Sequence, residues 1–489
     1  MTLPKSPARR SFFRYGAQSI CTAVVGRYGL LGLTACQAAN TPDNTEFFES
    51  GRRSDNEAVQ SALSRGGTIY LDRTYVITST IYISGDTQII GTSGAKIVWK
   101  GPPDQSIIRD TSTIEPRRVN RNILIENLEI DGGSLTTGSS EQLAIDFYRT
   151  GDVILRNLTV HGVGGSGIRW GNSYLDTTEI VVEGCTIYDC RVGDALQGSG
   201  RRISLRNNVI GKQGSASSFG DTGIALLKDF SSTTNPEGLF SNDVIISSNI
   251  ISGNYKGKVF TGVGGKSQTG IAIGPFDTNT KARIVISKND VSGCYVNVWL
   301  SVMVDVNISN NVFHSHASTM TGNVRLDSVS DLKISENRFY IDGIRSGGDF
   351  SAILLQAMRS TFGLSTFDGD VTNFTIINNS INAANPADGI KINFGSSNIN
   401  PVYIAKVANG IISENSFIGP LSPIVLSPVT GETPLSLRDV TILKNTAKGS
   451  ATALVTLSGR KSQYTNVHID ANILSGKMEP LKGTGSQIE

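Results

Sequence analysis

An asparagine recurs in one fixed setting along most of this chain. The pattern apolar–x–apolar–x–x–Asn–x–apolar appears in ISLRNNVI, VIISSNII, IVISKNDV, VNISNNVF, LKISENRF, FTIINNSI, GIISENSF, VTILKNTA and VHIDANIL. It places Asn208, Asn249, Asn289, Asn311, Asn337, Asn379, Asn415, Asn445 and Asn472 in one slot, which upstream holds Leu128, Leu158 and Cys185. Self-similarity at such spacings marks a repeat architecture. The shortest step, 22 residues from Asn289 to Asn311, suits three short strands and three turns. A leucine-rich repeat would need Leu-x-x-Leu-x-Leu at that period, and the chain does not supply it.

Physics gives the slot a purpose. Coils of a parallel solenoid stack about 4.8 Å apart, so an Asn at the same sharp turn in each coil can pass amide hydrogen bonds up and down the stack while tolerating left-handed backbone. A single coil cannot bury its apolar face, and stacking creates the core. The expectation is an all-β, right-handed parallel β-helix of about 12 coils with an Asn ladder. Asp55–Leu63 (DNEAVQSAL) reads as a short helix with an Asp/Asn start and Ala58, Val59, Ala62 and Leu63 on one face, suited to capping the open end. The expected layout is an export signal over 1–36, a linker over 37–54, the solenoid over 55–476 with its capping helix at 55–64, and a tail over 477–489.

After the helix come Gly66-Gly67 and two alternating strands, GTIYLDRTYVITSTIYI. This opening resembles the pectate-lyase-like (pectin lyase-like) β-helix superfamily over roughly residues 47–476. The resemblance implies the fold and a carbohydrate-related role. It does not carry a catalytic signature. Gly193-Asp194-Ala195-Leu196 keeps one of the paired acids of polygalacturonases, and Gly270-Ile271-Ala272-Ile273-Gly274 resembles the segment after their His. Gln268 and Thr269 stand where that His would be. Lys391, in DGIKINF, matches their Arg-Ile-Lys only loosely, and the Asp-Pro-His-Asp signature of mannuronan epimerases is missing.

A second strand in each coil supplies inward pairs such as Ile145/Phe147, Ile168/Trp170, Val298/Leu300 and Ile390/Ile392. Alternation then turns the residues between them outward. That outward row reads Asp146, Arg169, Gln197, Ala225, Ala272, Trp299, Arg325, Leu354, Lys391. Insertions at about 229–243, 253–268, 357–373 and 394–408 would raise walls beside it, leaving Trp299, Arg325 and Asp327 as the floor of a cleft. Roughly 19 Å separates the walls at the strand spacing, room for a few sugar units.

The residue types suit carbohydrate chemistry. Trp299 offers a stacking face. Glycoside hydrolysis needs two carboxylates about 5–9.5 Å apart, which acids on neighbouring coils provide. Asp194 and Asp221 form one group with Asp146 and Arg169 beside them; Asp229, Asp277 and Asp327 border the cleft. A lyase needs a cation against a uronate carboxylate, for which Lys228, Arg325 and Lys391 are candidates. Gln356 and Asn393 complete the substrate-binding set. The expected activity is hydrolase over lyase on a polysaccharide or oligosaccharide. The alternative is a non-catalytic polysaccharide-binding or exopolysaccharide-assembly protein. An ordinary turn role competes for each Asp. No cofactor is expected, with Ca²⁺ left open, and His314/His316 give only a faint metal pattern.

The N-terminus differs in kind. Arg9-Arg10 opens RRSFFR, a weakly apolar stretch interrupted by Arg27 follows, and Leu33-Thr34-Ala35-Cys36 closes it. The first part resembles a twin-arginine signal and the last a lipoprotein box with Cys36 lipidated. The expected address is the periplasm, the outer membrane or outside the cell. Removing 1–35 takes five basic residues and no acids, so 39 Lys+Arg face 42 Asp+Glu in place of 44. A slightly acidic body argues against nucleic acid. Cys185, Cys190 and Cys294 are too few for a disulfide framework and read as core.

Overall fold

A computed structural model describes residues 54–483 apart from 116–118, 134–141, 172–177, 212–218, 227–240, 254–268, 275–280, 316–322, 343–349, 358–359, 363–364, 368, 395–405, 429–435, 450–452, 459–460 and 476–478. Parallel strands stack into a solenoid with two sheets, one of 26 strands and one of 14. The larger sheet merges two series of strands. Val296–Ser309 and Val324–Ser335 run through both, each bending from one series into the other. Parallel crossovers of this kind wind right-handed because strand twist favours that hand. Among the described residues the winding also continues past 476: Glu479–Gly483 pairs with Ala453–Leu457, inside the segment expected to be a tail.

The inward pairs form the core. Ile145, Phe147, Ile168, Trp170, Val298, Leu300, Ile390 and Ile392 are all fully buried, as are Cys185, Cys190 and Cys294. The Asn ladder forms as expected. From Asn208 through Asn445, each side-chain amide donates to the Oδ1 of the next ladder Asn at 2.9–3.1 Å. Each backbone N–H donates to the same oxygen at 2.8–3.0 Å. One detail corrects the sequence expectation. The left-handed residue is the one before the ladder Asn: Asn207, Ser248, Lys288, Asn310, Glu336, Asn378, Glu414, Lys444 and Ala471 have φ of 50–58°. The ladder asparagines therefore owe their places to buried amide pairing, not to tolerance of positive φ.

The helix forms over Asp55–Leu63 as expected, but its acidic start is not its cap. Ser54 is the N-cap and Glu57 closes a capping box. Asp55 and Asn56 instead accept from the first strand edge, at Val76 N (2.8 Å), Thr78 N (2.8 Å) and Ser79 N (2.9 Å). Gln60 both donates to and accepts from the Tyr82 backbone. Side chains of one short helix thus occupy edge groups that would otherwise template another strand.

Candidate functional site

Strand pairing puts the outward row in the expected order. Asp146, Arg169, Gln197, Ala225, Ala272, Trp299, Arg325, Leu354 and Lys391 are successive register partners. Two residues on, a companion row runs Ser301, Asp327, Gln356, Asn393. Arg325 and Asp327 therefore share one strand face, with Trp299 one coil below Arg325.

These three side chains make a compact unit. Trp299 Nε1 donates to Asp327 Oδ2 at 2.8 Å. Arg325 Nε lies 3.1 Å from each Asp327 oxygen, and its guanidinium carbon sits 5.3 Å from the Trp299 ring centre. Asp327 is buried, whereas the Arg325 side chain keeps 26% exposure. The carboxylate orients the guanidinium through Nε, and among the described residues neither terminal nitrogen makes a hydrogen bond. A fixed cation over a half-buried indole is a ready seat for an anion with an apolar ring beside it. The companion row adds polar groups: Ser301, buried, and Gln356, half-buried, flank Asp327 one coil to either side.

Backbone strain lies next to this unit. Val302 has φ 50° and Ser328 φ 59°, directly after Ser301 and Asp327. A β-branched residue in that region is an outlier. The pair of left-handed residues turns the two long strands from one series into the other and ends the floor on that side. On the other side, the insertion expected at 357–373 forms an antiparallel hairpin of Ser360–Phe362 and Ser365–Phe367. Two coils beyond Arg325, Lys391 is buried with its Nζ 3.4 Å from Asp388.

The other candidates fall elsewhere. Asp146 is fully buried between Arg109, whose Nε and Nη2 lie 2.9 Å from Oδ2, and Arg169, whose Nε is 3.0 Å from Oδ1. Burial opposes its ionisation, yet the two guanidiniums outweigh it and hold the carboxyl below the usual range. Asp146 and Arg169 thus tie three coils together and present no carboxylate to a substrate. Asp194 is buried and Asp221 half-exposed on adjacent coils. Asp221 stands three strand spacings, roughly 14 Å, and Asp194 four, roughly 19 Å, from Asp327 along the stack, so the two acid groups do not converge. Among the described residues, the row of Asp327 carries no second acid. Lys228, Asp229, Asp277, His316 and Cys36 lie outside the described residues, as do most of the other three insertions.

The sequence reading missed one cluster. Glu129, Asp131 and His161 offer ligand atoms within 4.8 Å of one another on the second sheet. Lys96 Nζ already sits 2.8 Å from Glu129 and 2.9 Å from Asp131, so a cation of the chain's own occupies the centre of the acids. Equivalent strand positions in successive coils would have revealed it. Among the described residues no helix is long and apolar enough to cross a membrane.

Residues 119–275 match the family model described as a right handed beta helix region. No curated protein matches the chain. Among solved structures, the A-module of the mannuronan C-5 epimerase AlgE6 from Azotobacter vinelandii is 14% identical, with a TM-score of 0.51 over 91% of this chain and 99% of that one. A family 28 exopolygalacturonase from Yersinia enterocolitica is also 14% identical, with a TM-score of 0.50 over 88% of this chain and 78% of that one. At such identity the likeness is one of architecture: the chain is a right-handed parallel β-helix.

Proposed function

We propose that the chain acts on an acidic polysaccharide in the cleft floored by Trp299, Arg325 and Asp327. The observation that carries this is the partly exposed Arg325 guanidinium, held over the indole by a buried carboxylate. A sugar-ring face fits the indole, and a uronate carboxylate fits the outward nitrogens of Arg325. The half-buried Gln356 and Asn393 of the companion row supply polar groups for ring hydroxyls. The epimerase and exopolygalacturonase named above are polysaccharide enzymes of the same architecture, which supports the substrate class.

As an enzyme, the protein would be a glycoside hydrolase or a polysaccharide lyase. Arg325 would neutralise the uronate carboxylate of a lyase substrate, and hydrolysis would draw its second acid from Asp229 or Asp277. One observation favours the second reading, a non-catalytic protein that binds or guides an acidic polysaccharide: both Asp327 oxygens are engaged by Trp299 and Arg325. Export through the twin-arginine segment, with or without a lipid on Cys36, would bring either form to such a polymer. The test is a depolymerisation screen on polygalacturonate, alginate and neutral glucans, reading reducing ends and unsaturated-uronate absorbance together. New reducing ends establish the enzyme, and the absorbance separates lyase from hydrolase. Turnover confined to neutral glucans would refute the acidic-substrate assignment. Retention of acidic polymer without turnover would establish the binding protein.

A further inference from the structure

Burial along the two outward rows gives the cleft a direction. Below Trp299, the next two positions of its row are Ala272 and Ala225, which point outward by alternation yet keep only 6% and 0% exposure. Val425 and Thr456, outward positions near the other end of the same row, are half-buried. The indole does not account for the covered alanines. It leans away from them, toward Asp327 in the coil above, and Ala225 lies two strand spacings below it, roughly 10 Å. Gly274, beside Ser301 at the foot of the companion row, is buried as well.

The flanks are shut too. Asn297 and Asn323, two residues before Trp299 and Arg325, are fully buried and joined by a 2.7 Å hydrogen bond from Asn297 Nδ2 to Asn323 Oδ1. Above Arg325 the floor behaves differently. Leu354 is buried, but the companion row opens there: Gln356, Asn393 and Ser427 follow Asp327 in register and are all half-buried. Among the described residues, accessible floor thus begins at Trp299 and Arg325 and continues one way only, through Gln356 and Asn393 to Ser427. Four strand spacings separate the coils of Trp299 and Ser427, roughly 19 Å, the length of a few sugar units.

We propose that the cleft is a blind groove that takes the end of an acidic polysaccharide chain. The terminal sugar sits over Trp299 and Arg325, and the rest of the chain leaves along Gln356 and Asn393. The proposal rests on the reading of Trp299, Arg325 and Asp327 as the sugar-binding floor. A groove open at both ends would take the middle of a chain, and the burial of Ala272 and Ala225 decides against that. An enzyme working here releases small products from a chain end; a binding protein holds one terminus of each chain.

Titration calorimetry of the full chain tests this, with hexagalacturonate, hexamannuronate and size-fractionated polymers of the same sugars, many times longer, as probes. The readout is the number of proteins bound per polysaccharide chain. One protein per chain is expected at every length, because each chain carries one terminus of the matching kind. Several proteins on each long chain, with binding still lost in Arg325→Ala, would overturn the blind groove and leave the cleft assignment standing. Binding indifferent to Arg325→Ala, or no binding of any acidic chain, would overturn both. Two half-buried polar side chains read the direction independently. Asn393→Ala, on the open side, should weaken hexamer binding about three- to tenfold, the worth of one hydrogen bond. Gln197→Ala, three coils below Trp299 and beyond the covered alanines, should leave it unchanged. The opposite pattern in these two variants would also overturn the proposal.

Discussion

Asn311 sits mid-ladder, fully buried, and its replacement by alanine gives the sharpest test of how the coils are held. Its Oδ1 accepts from the backbone N–H and the side-chain amide of Asn289, both at 2.9 Å. Its Nδ2 donates to Ile286 O at 2.9 Å, Ser309 O at 3.1 Å and Asn337 Oδ1 at 2.9 Å. Alanine strands the Asn289 N–H in the core, whereas the Asn289 side chain keeps Ile246 O. A buried unsatisfied donor costs about 1–3 kcal/mol and each of the four further lost bonds about 0.5–1.5, so the sum is about 3–9 kcal/mol. Asn472→Ala removes the same acceptor from Asn445 at the half-buried end of the ladder. Water can substitute there, and the cost should be about 1 kcal/mol. Urea midpoints compare the two variants. Hydrogen exchange reads the local event, since the Asn289 amide should lose protection in Asn311→Ala. Equal midpoints for the two variants, with the Asn289 amide as protected as before, would refute the ladder's energetic role.

Further expectations follow from particular contacts. Asp146→Asn leaves Arg109 and Arg169 uncompensated and should cost about 3–5 kcal/mol at neutral pH by urea denaturation. Because the Asp146 carboxyl is depressed in the fold, its contribution is present above the unfolded value near about 4 and is lost as pH falls through the lower folded value. The difference between wild type and variant should therefore shrink in acid. Gly410→Ala places a Cβ into the ring of Phe374, its partner in the next coil; overpacking of that kind costs about 1–3 kcal/mol, visible as a lower thermal midpoint. Trp299→Ala removes both the stacking face and a donor to Asp327, and should weaken polysaccharide binding at least tenfold while leaving the far-UV spectrum unchanged.

The sequence made the repeating parts of the molecule legible and left the particular contacts hidden. A period-2 strand inside a periodic coil leaves one choice of inward and outward faces, which is why the order from Asp146 to Lys391 survives register by register. The row was not carried down to Arg109, one coil below Asp146, where Leu128 holds the slot as Leu158 does for Asp146; the clamp around Asp146 therefore looked like an open site. Register also places Asp327 near Trp299, but whether the carboxylate faces solvent or the indole N–H depends on rotamers that spacing does not encode. The left-handed turn residue escaped for a simpler reason. Asn207, Ser248, Lys288 and Ala471 share no chemistry, since the turn needs only a backbone conformation.

The central claim is that Arg325 is the anion-recognising centre of a polysaccharide cleft. Affinity electrophoresis of wild type and Arg325→Ala through gels holding polygalacturonate, alginate or a neutral glucan tests it most directly. Wild type should be retarded by at least one acidic polymer and not by the neutral one, with the apparent affinity at least tenfold weaker in Arg325→Ala and falling further with added salt. Equal retardation of both proteins in the acidic gels, or retardation of wild type by the neutral glucan alone, would contradict it.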